Sequence, residues 1–367
     1  MQSVKWGEFS LGDLFEVNTY KKRFDANKVI IADNGNPYVV RTSLNNGIRG
    51  FINEDEQYLN DGNTISFGQD TATMFYQEKP YFTGDKIKIL KAKDRKFNKN
   101  NAQFFIITMN KTFSSFSWGS SSFSVKIIEN QKSTLPISKN GKIDFEFMES
   151  FIAELEAQRI AELEAYLNVT GLKDYTLTEA EKKALDNFDS LKFEEFNVVD
   201  VFNVKNSGNI LSRDISENSG KTPYLCASAE NNAVSSYISY NENYLDKGNC
   251  IFIGGKTFVV TYQEKDFYSN DSHNLILHLK NECERSKKNQ LYLATCINKS
   301  LGHKYSWGDS ISKSKIQTDR VSLPVVNKQP NYAVMETFIS AIQKIVIKDV
   351  VLYADKKIAA TKTVVNK

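Results

Sequence analysis

Hydrophobic positions along this chain follow two different periods. Before residue 144 and again between residues 192 and 330, apolar residues come in short β-rich runs such as Thr64-Ile65-Ser66-Phe67 and Cys250-Ile251-Phe252-Ile253, separated by clusters of Asn, Gly and Asp. Runs bounded by turn formers in this way predict the strands of a compact domain. From Asp144 the period changes: Met148, Ile152, Leu155, Ile160, Leu163 and Leu167 keep mostly three-and-four spacing, with one slip between 155 and 160. From Asn331 onward, Met335, Ile339, Ile342, Val346, Val350 and Tyr353 follow one another at 4, 3, 4, 4 and 3 residues. Both stretches predict amphipathic helices. Between them Gly171 ends the first helix, and Thr178 with Glu181 three residues later forms a capping box that starts a short helix in a connector.

The pattern also occurs twice. Trp6-Gly7-Glu8-Phe9 and Leu14-Phe15-Glu16-Val17 return as Phe193-Glu194-Glu195-Phe196 and Val201-Phe202-Asn203-Val204. Pro37-Tyr38 and Asn45-Asn46-Gly47 return as Pro223-Tyr224 and Asn231-Asn232-Ala233, and Tyr76-Gln77-Glu78-Lys79 is repeated unchanged as Tyr262-Gln263-Glu264-Lys265, each displaced by 186. Ser117-Trp118-Gly119 matches Ser306-Trp307-Gly308, Leu135-Pro136 matches Leu323-Pro324, and Met148-Glu149 matches Met335-Glu336, with the offset staying between 186 and 189. Matches kept in register over so long a stretch identify a tandem duplication. The reading is α/β: a domain over 1–143, a helix over 144–167, a connector over 168–191, a second domain over 192–330 and a second helix over 331–367. A length of 367 residues agrees with two domains.

Charge separates the two helices. Residues 144–167 hold seven acidic residues against Arg159 alone, whereas residues 331–367 hold three acidic and six basic ones. At 1.5 Å per residue the helices extend roughly 35 and 50 Å. Opposite charge and matching apolar stripes predict that they pair as an antiparallel coiled coil, relating the two domains by a pseudo-twofold, with Met148, Ile152, Leu155, Leu163, Met335, Ile339, Ile342 and Val346 in the seam.

Catalytic patterns can be tried and set aside. Gly254-Gly255-Lys256-Thr257 resembles the end of a phosphate-binding loop, but Cys250 stands where that pattern needs glycine and the other copy reads Gly68-Gln69-Asp70-Thr71. Asn36-Pro37-Tyr38 lacks the second proline of an adenine-methyltransferase motif. His273, His278 and His303 have no metal-ligand spacing, and the carboxylates Glu264, Asp266 and Asp271 have no preserved counterparts. Cys226, Cys250, Cys283 and Cys296 are too scattered for a zinc or disulfide framework. The chain reads as non-enzymatic, with no bound cofactor. No apolar run of roughly 18 residues is present, so a cytoplasmic location is the default.

Two similar domains held a fixed distance apart suit a two-part target, and DNA half-sites about 34 Å apart per helical turn are the obvious one. The two-copy layout, the long helix ending each copy, the connector from Val169 to Thr178 and the domain endings Ser117 to Ile137 and Ser306 to Val325 resemble the specificity subunits of type I restriction-modification systems and their type IIB-like relatives. The resemblance covers essentially the whole chain. It implies that each copy is a target recognition domain reading one half of a bipartite duplex site. It also implies that the paired helices set the gap and dock two adenine methylation subunits, which motor and nuclease subunits join. S-adenosylmethionine and ATP would then belong to those partners. A duplicated protein-interaction adaptor, or a DNA-binding regulator without methylase partners, remains the alternative.

Loops that differ between the copies are the candidates for reading different half-sites, because guanine calls for Arg or Lys and adenine for Asn or Gln. They are Arg41, Thr42, Ser43, Asn45, Asn46, Arg49, Gln69, Thr71, Ser120 and Ser121 in the first copy, and Ser228, Asn231, Asn232, Lys256, Thr257, Ser310 and Lys313 in the second. Trp118 and Trp307, equivalent in the two copies, are expected in the cores. Residues 1–143 carry 20 basic and 14 acidic groups while residues 168–330 carry 20 of each, so the first domain is the better placed to meet phosphates.

Overall fold

The computed structural model describes residues 4–114 and 123–365. The chain divides into two compact units, Met1–Glu162 and Leu163–Lys367.

In the first unit Lys5–Ser10 pairs antiparallel with Lys132–Ile137, tying the start of the domain to its end. A four-stranded antiparallel sheet runs in the order Phe15–Thr19, Ile87–Ala92, Thr64–Gly68, Met74–Gln77. A three-stranded sheet centres on Asn36–Val39, which is antiparallel to Ile48–Ile52 and parallel to Phe82–Thr83. Helix α1 (Lys99–Phe113) is opened by a capping box between Asn98 and Asn101. It buries Phe105, Ile106, Met109 and Phe113 against Phe15, Ile65 and Phe67 of the larger sheet. Phe15 meets Phe105 edge-on at 5.6 Å and Phe67 meets Phe113 at 5.0 Å, the tilted geometries that aromatic quadrupoles favour. The first long helix, α2 (Phe145–Val169), starts inside this core with Phe145 and Met148.

The second unit repeats the plan. Its four-stranded sheet runs Phe202–Asn206, Leu275–Leu279, Cys250–Ile253, Val260–Gln263, and its three-stranded sheet centres on Thr222–Leu225 between Val234–Ile238 and Tyr268–Ser269. Phe193–Asn197 pairs with Arg320–Val326 as the terminal strands of the first domain do. Ahead of them lies α3 (Glu179–Asp186), and the two later helices are α4 (Lys287–Leu301) and α5 (Tyr332–Val365). Even the irregularity is copied: the ladder slips after Tyr38 in one domain and after Tyr224 in the other.

The helix seam expected from periodicity needs correcting at its first rungs. Met148 and Met335 are fully buried, each in the core of its own domain, and Ile339 packs on the second core too. The first turn of each long helix therefore serves as a lid on the domain before it. Burying a methionine there contributes about 2–5 kcal/mol, judged by the cost of truncating such residues. Farther along, Ile152 and Ile342 are half-buried, while Leu155 and Val346 are exposed. The last turns of α2 do meet α5: Leu163 and Leu167 pack with Ile347, Val351 and Ala354.

The connector is more than a tether. After Gly171, at φ +69°, Leu172 and Tyr175 join the cluster between α2 and α5. Thr178 and Glu181 form the expected capping box, with Thr178 N donating to Glu181 Oε2 at 2.8 Å and Glu181 N to Thr178 Oγ1 at 3.2 Å. Glu181 is buried and also accepts from Lys344 Nζ of α5 at 3.0 Å, while the same ammonium donates to Thr176 O at 2.9 Å. Phe188 then stacks on Phe338 at 4.5 Å. Burial alone would raise the Glu181 carboxyl, but the Thr178 N–H, Lys344 and the hydroxyls of Ser340 and Thr178 outweigh it and hold the pKa at about 2. That is below the ordinary value of about 4.3, so the stabilisation is complete above roughly pH 5 and is lost as the pH falls toward about 2. We expect Glu181→Gln to lower unfolding free energy by about 2–3 kcal/mol at pH 7 in urea titrations, with the difference shrinking below about pH 4. Equal stability at pH 7 would show that the pair does not hold the connector.

Candidate nucleic-acid interface

Each domain presents two loops whose backbone is held in unusual conformations. Asn45 and Asn46 have φ of +46° and +53°, and their counterparts Asn231 and Asn232 have +48° and +52°. Asparagine tolerates this left-handed region better than most residues. Its amide also closes the turn: Asn45 Nδ2 donates to Ile48 O at 3.1 Å and Asn231 Nδ2 to Val234 O at 2.9 Å. Gln77 and Gln263, from the repeated Tyr-Gln-Glu-Lys, donate to the carbonyls of Asn46 and Asn232 at 3.0 and 2.9 Å. Asn232 Nδ2 is itself engaged with Tyr262 O at 3.0 Å. These asparagines thus build the same turn in both copies, and Asn45, Asn231 and Asn232 have their amides occupied in doing so.

The second loop follows an inner strand of the larger sheet, Thr64–Gly68 in the first domain and Cys250–Ile253 in the second. Ala72 and Phe258 both sit at positive φ, +50° and +54°, so the loop has one shape in both domains. Its chemistry is reversed. In the first domain Asp70 pairs with Arg41 Nη1 and, at 2.9 Å, with Lys86 Nζ. In the second, Lys256 stands at the position of Asp70 and pairs with Asp271 at 3.0 Å, while His273 Nδ1 lies 2.6 Å from the other oxygen of Asp271. Burial would raise the Asp271 carboxyl, but His273 and Lys256 prevail and set it at about 2. The Gly255 N–H donates to Asn274 Oδ1 at 3.0 Å and is taken up within the fold.

One tyrosine per domain ties the central strand of the smaller sheet to the segment that precedes it. Tyr38 donates to Phe24 O at 2.7 Å and Tyr224 to Ile210 O at 2.6 Å, both fully buried. In the first domain this tyrosine floors an open cleft of about 560 Å³, which brings Arg41, Arg49 and Thr71 together with Arg23 and Asp85. Arg49 Nη1 donates to Ala26 O at 3.0 Å, and Thr71 Oγ1 shares a hydrogen bond with Thr73 Oγ1 at 2.9 Å. Gln69 lies next to this loop through its N–H to Lys86 O. Thr42 accepts from Leu44 N at 3.2 Å, and Ser43 is exposed beside it.

In the second domain Thr257 Oγ1 donates to Ala227 O at 3.0 Å, and Ile311 N bonds Gly255 O, bringing Ser310 alongside the loop. Ser228 Oγ accepts from Glu230 N at 3.2 Å within its own turn. Lys313 is exposed. Ser120, Ser121 and Trp118 lie outside the described residues. Trp307 corrects an expectation: it is 77% exposed and not in the core, because Gly308 at φ +141° and the Ser306–Asp309 bridge turn it outward. Arg23 and Lys86 were not among the sequence candidates, and Asp70 and Asp271, legible there as a loop residue and a carboxylate, become the ionic partners of Arg41 and Lys256. Comparing the copies position by position, Asp70 against Lys256, carried that signal.

The profile of the family described as "Type I restriction modification DNA specificity domain" matches residues 3–165 and again residues 191–352. The chain belongs to this family. It carries two copies of the specificity domain and is a non-catalytic DNA specificity subunit of a restriction-modification system. Along 350 residues it is 23% identical to the specificity subunit S.BcgI of a type II restriction enzyme of Heyndrickxia coagulans, covering 94% of this chain and 96% of that one. The type I restriction-modification S subunit of M. genitalium, a crystal structure, has the same fold, with a TM-score of 0.59 at 13% identity over 99% of this chain and 95% of that one. Among the described residues no group of His, Cys, Asp and Glu is arranged to hold a metal, and no helix is long and apolar enough to cross a membrane.

The tyrosine ties are the testable part of this scaffold. Tyr38→Phe or Tyr224→Phe leaves a buried carbonyl without its donor and should cost about 1–2 kcal/mol in chemical denaturation. An unchanged midpoint would mean that the bond does not hold the loops.

Proposed function

We propose that the specificity subunit reads a bipartite duplex site, one half with residues 1–143 and the other with residues 192–330. The helices over 144–167 and 331–367 set the gap between the halves and present the docking surface for two adenine methylation subunits, with motor and nuclease subunits joining that core. S-adenosylmethionine and ATP belong to those partners. The observation that carries this reading is the duplication itself: one backbone twice, with the same strained loops, but with unlike charges at their tips. Two identical readers would demand a symmetric site; two that share a scaffold and differ at the loops suit an asymmetric one. Major-groove readout needs such a rigid frame under variable side chains, since the base edges differ only in where donors and acceptors stand. The net positive charge of the first domain adds sequence-independent attraction to phosphates.

Two measurements test it on the complex with co-expressed methylation subunits. Replacing residues 1–143 by the matching domain of a relative should change one half of the methylated site only, read by sequencing modified adenines; a change in both halves rejects the modular reading. Deleting one turn, about four residues, from within 331–363 should change the gap length or abolish assembly. An unchanged gap in an intact complex would rule out the helix as the spacer.

A further inference from the structure

The duplication makes each domain a control for the other, and one difference stands out. The cleft above Tyr38 is lined by Arg23, Arg41 and Arg49. At the same 186-residue displacement, above the equivalent Tyr224, the second domain has Asn209, Ala227 and Ser235. The frame around the cleft is the same in both: the tyrosine tie, the slip in the ladder and the left-handed loop are all repeated. Three arginines over a shared frame are therefore not needed to fold it.

Arg23 pairs with Asp85 and Arg49 is tied to Ala26 O, while Arg41 is held by a carboxylate of the loop that follows Gly68. Its stem lies over Gly68, where an added Cβ would come within 3.4 Å of Arg41 Cγ. Its Nη1 is fixed by Asp70 Oδ2, the same oxygen that Lys86 Nζ contacts at 2.9 Å. The remaining guanidinium N–H groups have no protein partner among the described residues and border the open cleft. A carboxylate behind the arginine has two consequences. It locks the plane of the fork, and together with Asp25 and Asp85 in the lining of the cleft it offsets part of the arginine charge, so the arrangement favours directional hydrogen bonding to an acceptor pair over attraction by bare charge. A guanine edge, with O6 and N7 side by side, is the pair that a guanidinium fork matches.

We propose that Arg41 is a specificity-determining residue that reads a guanine in the half-site of the first domain, with Asp70 as its positioning residue. The second domain, with Ala227 in that place, makes no equivalent contact. This rests on the reading that each domain takes one half of the site.

The test is a selection of bound duplexes from a randomised library by the full chain with its methylation subunits, with the retained sequences read out. The wild-type complex first reports on the underlying reading: a site without two separated halves overturns that reading, whatever Arg41 does. Given two halves, Arg41→Ala should reduce the preference for guanine at one position of one half roughly ten- to hundredfold and leave the other half unchanged. Arg41→Gln should move that position toward adenine, and it carries the test if Arg41→Ala does not fold. Asp70→Asn should weaken the same preference without changing the base preferred. The proposal is overturned by a uniform loss of binding across all sequences, the mark of a phosphate contact. It is equally overturned if the affected base is not guanine, or if the retained sequences do not change.

Discussion

Met148 and Met335 occupy the same place twice: the first turn of a long helix, buried in the core of the domain that precedes it. A helix of this length has little stability of its own in water, because helices are held mainly by what their apolar face packs against. With its first turn inside a domain core, each helix becomes a continuation of that domain and its direction is set there. Everything assigned to these helices, from spacing to docking, depends on that anchoring. In the second unit the connector strengthens it, since α3 and Phe188 lie along the base of α5 and a buried Glu181–Lys344 pair joins them.

The scaffold and the loop surface are built from different kinds of residue. Buried tyrosines, turn asparagines and the glutamines of the repeated tetrapeptide fix the backbone, and they are the same in both copies. The residues standing on that backbone differ, and at one loop they exchange sign, Asp70 for Lys256. Hydrogen bonds within the loops hold the strained positive-φ residues, whose cost a flexible loop would relieve by rearranging. The loop tips can then vary in chemistry while their positions stay put. That separation lets a single fold, copied once, present two unlike loop surfaces.

Much of this is legible in the residue order alone. The duplication, the strand-rich domains, both long helices, the break at Gly171 and the capping box of Thr178 follow from local pattern and from self-comparison. These signals depend on residues close together in the chain or on a fixed offset. The candidate loops were found in the same way, as places where the copies diverge, and Arg41, Arg49 and Thr71 do come together in one cleft. What sequence could not separate was a loop asparagine closing a turn from one facing outward, since both produce the same residue at the same place.

The chain by itself determined the repeat, the periodicities and the charge carried by each segment, because these are properties of residue order. Tertiary structure decided the rest. An apolar stripe says that a helix face is covered, not by what, and only packing assigned Met148 and Met335 to their own domains and Leu163 to α5. A repeated tryptophan looks like core until a glycine turn at Gly308 puts Trp307 into solvent. The partners of Arg41 and Lys256 lie up to 29 residues away and meet them only across the fold, where short-range Coulomb attraction selects the neighbour in space.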